Sequence, residues 1–136
     1  MAKFVLKNAY CSLNSVDLSD HVESIELTHE ADPQEDTVMS DDSIGRLAGL
    51  KNWTLTVNFR QDYAASKVDA TMFSLIGAAA FAIEIRPDAG AVSATNPKFT
   101  GNAILSGYTG VGGSVGEIAM APCTMLGDGD LTRATS

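Results

Sequence analysis

The chain is poor in the residues that most directly announce chemistry. Of its 136 residues two are cysteine, two histidine and one tryptophan. Cys11 and Cys123 are too few for a disulfide framework and neither sits in a metal-spaced pair, so both are expected as buried free thiols. His21 and His29 are the only histidines, and no G-x-S-x-G elbow accompanies them. A nucleophile, base and orienting carboxylate are therefore not expected, and each histidine reads as structural. Basic residues are scarce as well. Nine Lys and Arg against seventeen Asp and Glu leave a net charge of −8, which argues against a nucleic-acid clamp, since affinity for phosphates comes from basic side chains. Long apolar runs are missing, so no membrane span is expected. The run Phe4 to Leu6 is cut short by Lys7 and Asn8, so no secretory leader is expected either. The chain is expected to be made and kept in a cytoplasm, unless another machine exports it.

What is present is alternation. From Leu50 to Arg60, Trp53, Leu55, Val57 and Phe59 alternate with Thr54, Thr56, Asn58 and Arg60. A period of two over that length predicts a long strand with one apolar and one polar face. Val22 to Glu30 repeats the pattern, with Ile25, Leu27 and His29 on the face expected to be core and Glu26, Thr28 and Glu30 on the other. Phe4 to Leu13, Phe81 to Arg86, Phe99 to Tyr108 and Ser114 to Met125 read as further strands. The last two are separated by a turn at Gly110, Gly112 and Gly113, and Pro122 predicts an edge or a bulge. Val68, Met72, Leu75 and Ile76 recur at helical spacing, predicting one helix over about residues 67–76, with Ser66 and Asp69 as a capping pair and Gly77 as its stop. The sum is six or seven strands, mainly β: an antiparallel β-sandwich or partly open barrel with one flanking helix. Hydrophobic residues at 45% and charged residues at 19% are those of one globular domain. We place it at residues 1–126, with 127–136 as a tail that is mobile unless docked.

Two stretches have no obvious period. Residues 31–49 break the alternation with Asp32-Pro33, Gly45 and Gly49, and read as a long loop whose apolar residues Val38, Met39, Ile44 and Leu47 need a partner surface. Ten of the seventeen acids, Asp17, Asp20, Glu23, Glu26, Glu30, Asp32, Glu35, Asp36, Asp41 and Asp42, fall between Lys7 and Arg46 with no Lys or Arg among them. Such a surface either solubilises, repels a polyanion or meets a basic partner. Calcium is the metal such carboxylates would suit, but no D-x-D-x-D-G spacing appears. The glycines from Gly110 to Gly116 lack the Lys-Ser/Thr ending of a phosphate loop. Tyr10, Tyr63 and Tyr108 are too dispersed to stack bases. No cofactor, metal site or catalytic set is expected, and the chain does not read as an enzyme.

Four stretches resemble tail tube (major tail) proteins of long-tailed, siphovirus-type bacteriophages of actinobacteria. They are Val16-Asp-Leu-Ser-Asp-His-Val-Glu-Ser-Ile-Glu-Leu27, Gly49-Leu-Lys-Asn-Trp-Thr-Leu-Thr-Val-Asn-Phe-Arg-Gln-Asp-Tyr-Ala-Ala65, Val92-Ser-Ala-Thr-Asn-Pro-Lys-Phe-Thr-Gly101 and the ending Gly127 to Ser136. The resemblance implies a virion structural protein: six copies per ring, rings stacked into a hollow tube, and DNA ejected through it without sequence-specific binding. Implied partners are other copies, the tape measure, the tail terminator and the distal tail protein, with no membrane. The implied location is the virion tail, and the host cytoplasm during assembly. Under it Glu26, Thr28, Glu30, Thr54, Thr56, Asn58 and Arg60 are candidates for the lumen side, although the same parity could face outward. Asp32, Glu35, Asp36, Val38, Met39, Asp41, Asp42, Ile44, Arg46 and Leu47 are candidates for contacts between rings. A tail-completion ring protein, or a monomeric β-sandwich binding module with or without calcium dependence, is the alternative reading.

Overall fold

The computed structural model describes residues 3–136. Eight strands and one helix follow in the order β1 (Tyr10–Leu13), β2 (Val16–Asp17), β3 (Val22–Glu35), β4 (Arg46–Arg60), α1 (Val68–Leu75), β5 (Phe81–Arg86), β6 (Lys98–Tyr108), β7 (Met120–Gly127) and β8 (Thr132–Ala134). The strands form a single sheet in the order β2-β1-β5-β6-β7-β4-β3, with β8 added to β6. Every pairing is antiparallel. The sheet is open: among the described residues β3 pairs only with β4.

The alternation of β4 dictates how the sheet curls. Trp53, Leu55, Val57 and Phe59 are buried, and β7 places Met125, Cys123 and Ala121 opposite the last three. Ala103 and Leu105 of β6, Phe81, Ile83 and Ile85 of β5, and Cys11 and Leu13 of β1 join the same cluster. Each such aliphatic or aromatic side chain contributes about 1.5–3 kcal/mol by leaving water. Val68, Met72 and Leu75 of α1 cover the cluster, and Ile76 bridges to Leu105.

Several local expectations are corrected. The first strand begins at Tyr10, leaving Phe4 to Leu6 outside any strand. The stretch 31–49 is loop only over 36–45; its flanks are the outer ends of β3 and β4, paired from Ala31↔Lys51 to Glu35↔Arg46. There both faces are exposed, so pairing places no demand on the hydrophobic pattern. A register shift between Ala31 and Pro33 gives β4 an extra residue, and a side chain at Gly49 would overlap the Asp32 carbonyl. Beyond that bulge Leu47 lies opposite Gln34, on the face of Thr28 and Glu30.

Helix α1 starts without a side-chain cap: Lys67 occupies the cap position, and Ser66 has a positive φ of 62°. Gly77, at φ 71°, is the left-handed stop. The strand expected from Ser114 begins only at Met120. Pro122 lies within an interior strand rather than at an edge. Its carbonyl accepts from the Thr109 N–H at 3.1 Å, so its missing N–H also points past the end of β6 and takes no bond from β4. His29 is exposed rather than in the core. The C-terminal segment is docked: β8 pairs with Lys98 to Thr100, and Leu131 packs on the core.

Candidate assembly surfaces

The sheet turns a broad polar face to solvent. Glu26 stands opposite Thr56, Thr28 opposite Thr54 and Glu30 opposite Asn52. On the other side of β4, Thr54, Thr56, Asn58 and Arg60 face Leu126, Thr124, Pro122 and Met120. The seven residues expected to share a face therefore do so, across two adjacent strands. Its centre mixes hydroxyls and amides with exposed Leu126 and Ile104: Asn58 donates to the Ser24 hydroxyl at 2.8 Å, and Ser106 donates to the Thr124 carbonyl at 3.0 Å. Charge sits at the margins, where Arg60 approaches Glu23 at 3.8 Å and Arg86 pairs with Glu84 at 2.6 Å. The face continues into a polar hollow of about 530 Å³ lined by Ser12, Glu84, Thr100, Asn102, Asp128 and Thr132.

The outer part of the β3–β4 hairpin is an arm exposed on all sides. It carries Asp32, Glu35, Asp36, Asp41, Asp42 and Arg46 together with exposed Val38, Met39, Ile44, Leu47 and Leu50. All ten residues named from sequence as ring-to-ring contacts lie on it. A two-stranded ribbon of this kind is marginal alone in water. Its connector is closed by side chains: Asp41 accepts from the Val38 N–H at 2.9 Å, and the Thr37 hydroxyl accepts from the Gly45 N–H at 2.9 Å. A second apolar patch was not anticipated from sequence: Val111, Val115 and Ile118 are exposed on the β6–β7 connection. Its only signal was three branched apolar residues in a glycine-rich run.

Two polar clamps hold the connections that frame these surfaces. His21 Nδ1 lies 2.7 Å from Asp20 Oδ1 and Nε2 lies 2.8 Å from Asp62 Oδ2. Ionised carboxylates only accept, so both bonds require both ring nitrogens to donate. Burial pulls the imidazole down, but the hydrogen bonds to Asp62 and Asp20 outweigh it and raise His21 above its ordinary 6.5. Asp62 is held below the usual carboxylate range, first by the Ala64 N–H and then by His21. On the far side of the β4–α1 connection Tyr108 donates to Asp69 at 2.7 Å, and Gln61 donates to Tyr108 and to the Gly110 carbonyl. Burial, then Asp69, pushes the Tyr108 hydroxyl up to about 12.

Burial also pushes Cys11 and Cys123 up to about 12, Asp17 adding to the effect at Cys11, so both remain protonated thiols. Among the described residues, no group of three His, Cys, Asp or Glu side chains is placed to hold a metal ion.

No protein-family model matches the chain, and no curated protein matches it in sequence. Solved structures do match. A chain in the virion of a native gene transfer agent particle aligns over 97% of this chain and 99% of its own, at a TM-score of 0.75 and 13% identity. The chain has the fold of a component of that virion. A chain from the tail of an empty gene transfer agent particle, refined with C6 symmetry, aligns over 85% and 83% at a TM-score of 0.65 and 14% identity. A chain from the sheath-tube complex of an extracellular contractile injection system aligns over 98% and 93% at a TM-score of 0.73 and 12% identity. The tube-terminating cap of the anti-feeding prophage matches over 100% and 95% at 0.72 and 14% identity. The fold is thus common to gene transfer agent particles, a contractile injection system and the anti-feeding prophage cap, and does not single out long-tailed phages of actinobacteria.

Proposed function

We propose that this chain is a structural tail tube subunit that assembles with its own copies into stacked six-membered rings enclosing a conduit for DNA. The observation that carries the reading is the whole-chain agreement with a gene transfer agent virion chain, which leaves almost nothing of either chain over. The matching tail of C6 symmetry supports the ring number. The hydroxyl and amide face supports a lining that DNA slides past, because it offers few cations for phosphates to displace their counterions against. Glu26, Thr28, Glu30, Thr54, Thr56, Asn58 and Arg60 are its members. The exposed arm supports contact with the next ring, its acids and apolar side chains being uncovered in the single chain. Tape measure, terminator and distal tail proteins are the further partners of this reading. The virion tail is its location, with the host cytoplasm during assembly, and the four sequence stretches above favour long-tailed phages of actinobacteria.

A tail-completion ring is the second reading, favoured by the match to a tube-terminating cap. Negative-stain microscopy of concentrated protein separates the two: long tubes support a tube subunit, and single rings that never stack support a terminator. A chain that stays solitary at high concentration overturns both. Removing residues 36–45 is expected to preserve folded rings and to abolish tubes.

A further inference from the structure

We propose that residues Lys3 to Lys7 of one copy add as an extra strand to the free edge of β3 in the next. This rests on the reading that copies of the chain assemble, and names the segment that joins them.

The first observation is an unfilled edge. β3 is bonded to β4 alone, and among the described residues no hydrogen bond reaches its outer backbone. An edge of fourteen residues is a template for another strand unless something covers it. Beneath it lies an apolar groove of about 260 Å³ lined by Ile25, Leu27, Ile85, Phe99 and Leu131.

The second observation is a strand-forming segment without a sheet. Phe4, Val5 and Leu6 are β-favouring and apolar, yet 65%, 74% and 52% exposed. The segment's own copy does not pair with the edge: Leu6 to Ala9 share a hollow with Val22 to Ile25 at the start of β3, but no strand forms before Tyr10.

The third is a match of spacing and charge. In an extended segment Phe4 and Leu6 point to one side and Lys3, Val5 and Lys7 to the other. On β3, Ile25, Leu27 and His29 occupy one face and Glu26, Thr28 and Glu30 the other. Lys3 and Lys7 are four residues apart, as are Glu26 and Glu30, so both lysines meet both glutamates on the polar face while Phe4 and Leu6 enter the groove. The match holds for either strand direction. β3 carries five acids, Glu23, Glu26, Glu30, Asp32 and Glu35, and no Lys or Arg; the segment is the one place before Arg46 where lysines occur. Donor segment and acceptor edge are different surfaces, so in a ring the contact runs head to tail from each copy to the next.

The test pairs charge reversal with cross-linking on the full chain. Lys3→Glu with Lys7→Glu, both exposed, is expected to raise the concentration needed for assembly about tenfold or more. Adding Glu26→Lys and Glu30→Lys is expected to restore it. In one of two pairs, Lys7→Cys with Glu26→Cys for an antiparallel contact or Lys7→Cys with Glu30→Cys for a parallel one, oxidation after assembly is expected to give a ladder of covalent multimers, the native thiols being buried. Normal assembly by the lysine variant, or a cross-link confined to single chains, overturns the proposal while leaving the tube reading intact. Failure of the unaltered protein to assemble overturns both.

Discussion

The indole N–H of Trp53 donates to the carbonyl of Gly129, 3.1 Å away, tying the start of the central strand's buried face to the C-terminal segment. The ring lies against bare backbone: a Cβ at Gly127 would overlap the indole, and one at Gly101 would come within 2.8 Å of it. Trp53→Phe, which loses the bond and leaves a void, is expected to cost about 2 kcal/mol. Gly127→Ala is expected to cost at least as much by overpacking. Urea denaturation measures both, and proteolysis should release the residues after Gly127 more readily in each variant.

His21 sets a pH window. Its folded pKa is raised, so its contribution is complete below 6.5 and is lost as pH climbs through the folded value. Asp62, whose folded pKa is lowered, contributes above 3.8 and loses that contribution as pH falls through its folded value. Mildly acidic solution, between the two, is where the clamp is strongest. His21→Asn should flatten the decline in denaturation midpoint on the alkaline side, and an unchanged slope would remove His21 as its cause.

Asn96 organises the segment between β5 and β6. Its amide accepts from the Asp88 N–H at 3.1 Å and donates toward the carbonyls of Asp88, Gly90 and Ala91 while buried. Asn96→Ala strands those groups and is expected to cost about 1–3 kcal/mol. Faster amide exchange confined to residues 88–97 would localise the effect.

Lysines placed in the middle of the polar face report which way it points. Thr124 is flanked by Thr56 and Gly107, so Thr124→Lys adds a cation with no acid opposite it. If this face lines the conduit, assembled tubes should hold DNA that is shielded from nuclease and released by salt. DNA bound on the outside, open to nuclease, would turn the face outward.

The strands that bury one side were legible, because burial writes a period of two into β4 and β5. The same rule hid the arm: residues 31–35 and 46–49 are solvated on both faces, so their pairing leaves no trace in the pattern and follows only from the hairpin below. β8 went unseen for a related reason, as Thr132-Arg-Ala134 has no apolar alternation and is held by β6's edge. The helix was found from Val68, Met72 and Leu75, while its cap was misassigned because Ser66 takes a left-handed turn instead. For the surfaces, sequence gave the parity of Thr54, Thr56 and Asn58 correctly. It could not anticipate the Val111, Val115 and Ile118 patch, whose exposure depends on where the β6–β7 connection happens to emerge, nor the pairing of His21 with Asp62, forty-one positions apart.

The extra residue at Gly49 makes the arm a separately adjustable spacer. On β4, everything beyond it takes its facing from the bulge rather than from the body's inside-out rhythm. Lengthening both strands there by two residues would carry the tip about 7 Å farther with the same side chains on each face. Lengthening by one would turn the projection over. Related chains, or engineered ones, could thus change the distance they span in paired steps without repacking anything around Trp53.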